Sequence, residues 1–175
     1  MSYRFGMNAP AVDVLLSTGE KVPLADLYRE APVALVFVRH FGCIFCRERI
    51  ADLRRLADQN VVFVTMGNQV QAEAVRQKLR SPHRFVCDPE QSLYQAFGLP
   101  KGSFGQMFNP TTFLRGARAA AKGHGVGAPV GDPWQLGGAF VVDRRGEVTW
   151  EKRAQHAADD ATEEEILREL ARASG

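Results

Sequence analysis

Residues 31–50 read APVALVFVRHFGCIFCRERI. Their first part, Ala31 to Val38, is a nearly unbroken apolar run rich in β-branched residues, the pattern of a central strand buried on both faces. From Ile44 the pattern changes. Ile44, Phe45, Ile50, Leu53 and Leu56 recur at helical spacing among Arg and Asp, until Gln59 and Asn60 end the run. Cys43 and Cys46 therefore fall where a strand ends and the first turn of a helix begins, and they need a chemical explanation.

The same alternation continues outward. Val61 to Gly67 (VVFVTMG) is a second buried strand, Val70 to Arg80 an amphipathic helix closed by Ser81-Pro82, and Phe85 to Cys87 a short strand stopped by Asp88-Pro89. A shorter helix is expected over Gln91 to Phe97. Beyond Leu99-Pro100 the chain is glycine-rich as far as Gly138, with one helix expected at Thr111 to Ala121 after Asn109-Pro110, and it reads as an insertion. Gly138 to Arg153 is a hairpin turning at Asp143 to Gly146. The last helix opens with Thr162 and Glu165 at capping-box spacing, and Ile166, Leu167 and Leu170 supply its apolar stripe. This order predicts one α/β domain over residues 1–175. Its central sheet is mixed and flanked by helices, because the crossovers are parallel and the hairpin antiparallel.

Composition excludes several functions. The chain has 175 residues, 45% hydrophobic and 24% charged, and its 22 Lys and Arg are dispersed among 20 Asp and Glu. No basic stripe marks a nucleic-acid partner. No apolar run approaches the roughly 20 residues of a membrane span, and the N-terminus lacks a secretory pattern. A soluble, cytoplasmic protein is expected, without nucleic-acid or membrane partners and without a cofactor; oligomeric state is left open. In a reducing compartment, three cysteines point to catalysis or metal binding rather than to a disulfide scaffold.

At a helix N-terminus, unpaired N–H groups and the positive end of the dipole favour a thiolate over a thiol. Arg39, His40 and Arg47 are candidates to add positive charge, and His40 to act as a base beside Cys43. A second sulfur one turn along can attack the oxidised product of the first, so the pair can cycle between dithiol and disulfide. Three other readings compete, one of them a Cys-x-x-Cys that merely rests near other groups without function. Zinc needs more ligands than Cys87 and the scattered His40, His83, His124 and His156 offer, so no metal is expected. Inert core cysteines are common, and Cys87, ending its strand, is read that way.

GMNAPAVDVLLSTGEKVPLADL (Gly6 to Leu27), FVCDPEQSLYQAFGL and FVVDRRGEV resemble segments of peroxiredoxins and related thioredoxin-fold proteins. VRHFGCIFCRE and GDPWQLGG (Gly131 to Gly138) narrow the resemblance to the peroxiredoxin-like, AhpC/TSA-related branch that carries Cys-x-x-Cys. The resemblance implies a thioredoxin-like fold with an N-terminal β extension and an antioxidant, redox-active disulfide. The implied activity is that of a thiol peroxidase or a thiol-disulfide oxidoreductase, acting on a hydroperoxide or disulfide with a thioredoxin or small thiol as reductant. A redox sensor or binding module switched by the same disulfide is the alternative.

The resemblance yields two role assignments. On the thioredoxin pattern Cys43 is the exposed attacking cysteine and Cys46 the buried resolving one. On the peroxiredoxin pattern, Thr-x-x-Cys, Cys43 replaces the threonine and Cys46 is peroxidatic. Gly137 stands near the position of the peroxiredoxin arginine and Gly138 at that of the thioredoxin cis-proline. The loss of that arginine implies slow peroxidase chemistry unless Arg39 or Arg47 substitutes. The two glycines leave room for a second chain or a small thiol, and Trp134 beside them is a candidate cover for the site.

Overall fold

The structure, a computed structural model, describes residues 6–103, 114, 117, 118, 121 and 131–175. Seven strands form one mixed sheet: β1 (Asp13–Leu16), β2 (Lys21–Pro23), β3 (Val33–Phe37), β4 (Val61–Thr65), β5 (Arg84–Cys87), β6 (Gly138–Val142) and β7 (Val148–Arg153). Their order is β2-β1-β5-β4-β3-β6-β7. The crossover strands β3, β4 and β5 run parallel, and the β1-β2 and β6-β7 hairpins add antiparallel pairs at the two sides. This is the mixed sheet that the alternation of elements predicts, with the N-terminal β extension that the resemblance implies.

Why β3 is apolar throughout follows from its place in the sheet. Successive side chains point to opposite faces. Ala34, Val36 and Val38 join one core with Ile50, Leu53, Ile166 and Leu170. Val33, Leu35 and Phe37 join the other with Leu24, Leu27, Tyr94 and Phe97. The helices α1 (Ile44–Asp52), α2 (Gln69–Lys78) and α4 (Glu163–Ser174) serve the first core, and α3 (Ser92–Ala96) the second.

Helix starts follow local chemistry. Thr162 and Glu165 form the expected capping box of α4, and Asn68 with Gln71 forms one for α2. The stripe of α4 differs from expectation at one position: Ile166 and Leu170 are buried, but Leu167 is 38% exposed. One step along a helix turns about 100°, so the buried partner of Ile166 three residues on is Glu169, ion-paired to Arg168 and Arg172.

The helix expected at Thr111 to Ala121 lies largely outside the described residues; its described members Leu114, Ala117, Arg118 and Ala121 are helical. The insertion leaves and returns at one place. Lys101 bridges to Gln135, the Gly102 N–H donates to the Trp134 carbonyl at 2.7 Å, and Lys101 pairs with Asp132 at 2.6 Å. Among the described residues no helix is long and apolar enough to cross a membrane, and no three His, Cys, Asp or Glu converge on a metal site.

Candidate functional site

The chain leaves β3 at Phe37 and turns through Val38 to Gly42 into α1, so the end of a central strand aims directly at a helix N-terminus. Cys43 is the N-cap of α1, and Cys46 lies in its first turn. The end of the strand is held by Tyr94 of α3, whose hydroxyl reaches the carbonyls of Val38 and Val64. Nothing in the sequence marks this tyrosine as more than one apolar position of a short helix.

Arg39 organises the site. Its backbone N–H donates to Cys46 Sγ at 3.2 Å, and its guanidinium donates from Nη1 to Cys43 Sγ at 3.3 Å. The same guanidinium donates to the Gln135 carbonyl from Nε at 3.2 Å and to the Pro133 carbonyl from Nη2 at 2.6 Å. One buried side chain thus joins the cysteine pair to the far end of the insertion. Gln135 is itself buried, its amide donating to the carbonyls of Pro100 and Leu136.

The two sulfurs are strongly differentiated. The Cys46 thiol hydrogen-bonds to Cys43 and, against the effect of burial, is the largest cause that brings the Cys43 pKa down to about 6; the Arg39 charge and the N–H groups of Cys46 and Phe45 add to it. Burial pushes the Cys46 thiol well up, and its hydrogen bond to the Cys43 thiolate pushes further in the same direction. Cys43 is the thiolate of the pair at neutral pH and Cys46 the proton donor. Both are buried, Cys43 at 6% exposure and Cys46 at 5%, so Cys43 is not the exposed sulfur that the thioredoxin pattern implies. Cys87 is also buried, and burial alone pushes it up to about 11.

The remaining candidates separate. Arg47 donates from Nε to the Phe41 carbonyl at 2.8 Å and braces the turn. His40 has its pKa lowered to about 4 by burial and by Arg39, so it is neutral at pH 7 and adds no charge to the site; its Nδ1 is buried without a hydrogen-bond partner among the described residues. The unfolded chain protonates this histidine below pH 6.5, the folded one only near pH 4, so stability is lost as pH falls through that window. Allowing for the partly exposed ring, the loss is about 1–2 kcal/mol. His40→Gln is expected to remove that part of the acid sensitivity, read as the difference in urea unfolding free energy from wild type at neutral and acid pH.

The glycine pair makes its close approach to the protein's own chain. A Cβ on Gly137 would stand 2.3 Å from the Phe37 carbonyl oxygen, and one on Gly138 would stand 2.8 Å from the Lys152 carbonyl oxygen and from Leu99 Cδ2. The room expected for a second chain or a small thiol is filled by β3 and β7. Trp134 is 43% exposed; the loop reaches the site through the backbone of its neighbours Pro133 and Gln135.

Residues 47–156 match the family model described as AhpC/TSA antioxidant enzyme, a span that begins immediately after Cys46. The chain is 30% identical over 144 residues to human Peroxiredoxin-like 2C, which covers 74% of this chain and 64% of that protein, so it spans less than two thirds of that relative's length. It is 25% identical over 172 residues to the Thioredoxin-like protein AAED1, chloroplastic, of Arabidopsis thaliana, covering 90% and 69%. The fold is similar to that of Peroxidoxin BcpB from Mycobacterium tuberculosis, with a TM-score of 0.67 at 15% identity over 97% of this chain and 95% of the other. The chain belongs to the AhpC/TSA antioxidant enzyme family and has a peroxiredoxin-like thioredoxin fold.

Proposed function

We propose that this protein is a thiol-based redox enzyme in which Cys43 attacks and Cys46 resolves. The observation that carries the reading is the 3.3 Å contact of the Arg39 guanidinium with a Cys43 sulfur whose pKa is lowered to about 6, beside a Cys46 that keeps its proton. The Cys43 thiolate attacks the O–O bond of a hydroperoxide. One oxygen is transferred to give the sulfenic acid, and the other leaves as water or an alcohol. Cys46 then attacks the sulfenic sulfur, an S–S bond forms, and hydroxide leaves as water. A disulfide substrate enters the same cycle through a mixed disulfide, and a thioredoxin-type protein or a small thiol reduces the product.

Arg39 answers the missing β6 arginine. Its Nη1 is placed to stabilise charge on the reacting atoms from the end of β3. The three free thiols suit a reducing, cytoplasmic setting.

Stopped-flow oxidation of pre-reduced protein by hydrogen peroxide tests the reading, with free thiols counted in wild type, Cys43→Ser and Cys46→Ser. Wild type is expected to lose two thiols rapidly, Cys46→Ser to accumulate a trappable sulfenic acid, and Cys43→Ser to be inert. Sulfenic acid trapped only in Cys43→Ser would reverse the roles. A second reading draws on the tie from Arg39 to Pro133 and Gln135. Oxidation removes the Cys43 charge that Arg39 holds, so a sensor could report redox state through this loop. Slow turnover with a redox-dependent change in partner affinity would favour it.

A further inference from the structure

The cycle leaves one step without a base. Cys46 is buried, and its thiol holds its proton firmly, yet it must become a nucleophile to close the disulfide. A cavity of about 10 Å3, roughly the room one water requires, is lined by Cys46 together with Arg39, Arg49, Asp160, Gly137 and apolar residues of β3 and the segment after β7. Asp160 comes from the segment between β7 and α4, where the small residues Ala154, Ala157, Ala158 and Ala161 are all buried. Arg49 and Asp160 also line a cleft of about 640 Å3 between α1 and the start of α4. These two residues are therefore shared by the cavity beside Cys46 and the larger cleft. Arg49 is buried, and its Nη2 makes no hydrogen bond among the described residues.

We propose that Asp160 is the proton acceptor for Cys46 when that sulfur attacks oxidised Cys43, with Arg49 as the positioning residue beside it. The inference rests on the dithiol cycle described above. The Cys46 S–H bond breaks and its proton passes to the Asp160 carboxylate across the small cavity. The electron pair left on sulfur forms the S–S bond to Cys43, and the group on Cys43 departs with the electrons of its own bond, hydroxide from a sulfenic acid or a thiolate from a mixed disulfide. Negative charge moves from Asp160 to Cys46 and on to the leaving group. Arg39 and Arg49 flank this path, so the charge stays compensated wherever it resides. The Asp160 proton then leaves through the cleft.

Other ionisable groups act on this centre: Cys43 at the N-cap of α1 and Arg49 within it, Arg39 from beyond the end of β3, Tyr94 from α3, and Asp52, Glu163 and Glu165 around Arg49. Of the carboxylates, Asp160 is the one that borders the Cys46 cavity.

A chromogenic aromatic disulfide, dithiobis(nitrobenzoate), separates the steps. Loading Cys43 releases one coloured thiolate, and closure by Cys46 releases the second. In Asp160→Asn the first release is expected within twofold of wild type and the second slowed by about 10- to 100-fold. The slowed step should also rise about tenfold per pH unit between about pH 7 and 9, because hydroxide must then remove the proton, whereas wild type is flat there and Asp160→Glu restores the flat profile. A second release in Asp160→Asn as fast and as flat as in wild type overturns this inference alone. No second release in wild type overturns the dithiol cycle and this inference with it. If Asp160→Asn does not fold, wild type decides: a flat closure profile supports the proposal, and a rate following hydroxide overturns it.

Discussion

Arg39→Met slows the reaction of Cys43 with hydrogen peroxide by about 100-fold at neutral pH. Two losses add. The guanidinium that donates to Cys43 Sγ at 3.3 Å is gone from both the thiolate and the charge developing as the O–O bond breaks. The Cys43 titration midpoint, about 6 in wild type, moves toward the ordinary thiol value of about 8.5, so less thiolate is present near pH 7. The Cys46 hydrogen bond, the largest cause of the low value, survives, and the midpoint therefore stays below the ordinary one. Thiolate absorbance against pH gives the midpoint, and stopped-flow rates taken well above it isolate the transition-state loss. Arg39→Lys separates charge from shape. An ammonium keeps the charge but cannot serve Cys43, Pro133 and Gln135 together, so its midpoint should remain near wild type while its rate falls. Equal rates for wild type and Arg39→Met at saturating thiolate would remove Arg39 from the chemistry.

Gly137→Ala destabilises the fold by about 2–4 kcal/mol. The added Cβ would stand 2.3 Å from the Phe37 carbonyl oxygen, and a strand end paired on both sides has little freedom to retreat. Phe37 pairs with Gly138 and Val64, and the next residue, Val38, is held by Tyr94. Yielding at Phe37 displaces the turn that carries Arg39 and Cys43, so stability and reactivity should fall together. For a chain of this size the loss corresponds to a melting temperature lower by about 5–15 °C, measurable by calorimetry. An unchanged melting temperature would mean that the β3 end gives way without cost.

The strand and helix order was legible because local pattern determined it. The two-faced run of β3, the Thr162 and Glu165 box and the hairpin at Asp143 to Gly146 each declare themselves within a few residues. The place of the cysteine pair followed from the same reading. Which sulfur is the thiolate did not, because Cys43-x-x-Cys46 fits two family patterns. The distinction rests on burial of Cys46 and on the geometry of its hydrogen bond and that of Arg39 to Cys43, which spacing does not show, and the site around them is held from a distance. Arg39 meets Pro133 and Gln135, which stand 94 and 96 residues away, and Asp160 reaches the site from the far end of the chain. Leu167 shows the opposite limit: an apolar residue beside Ile166 reads as part of a stripe, and only its angular position about α4 exposes it.

The differentiated sulfurs also bear on electron affinity. Every contact that lowers the Cys43 pKa stabilises the reduced, charged form, and none of that stabilisation survives in a Cys43–Cys46 disulfide, where no thiolate remains to accept from Cys46, Arg39 or the first turn of α1. The dithiol is favoured relative to the disulfide, which raises the reduction potential of the couple. In the proposed cycle, the contacts that hold the Cys43 thiolate would thus also leave a Cys43–Cys46 disulfide readier to accept electrons from a small thiol.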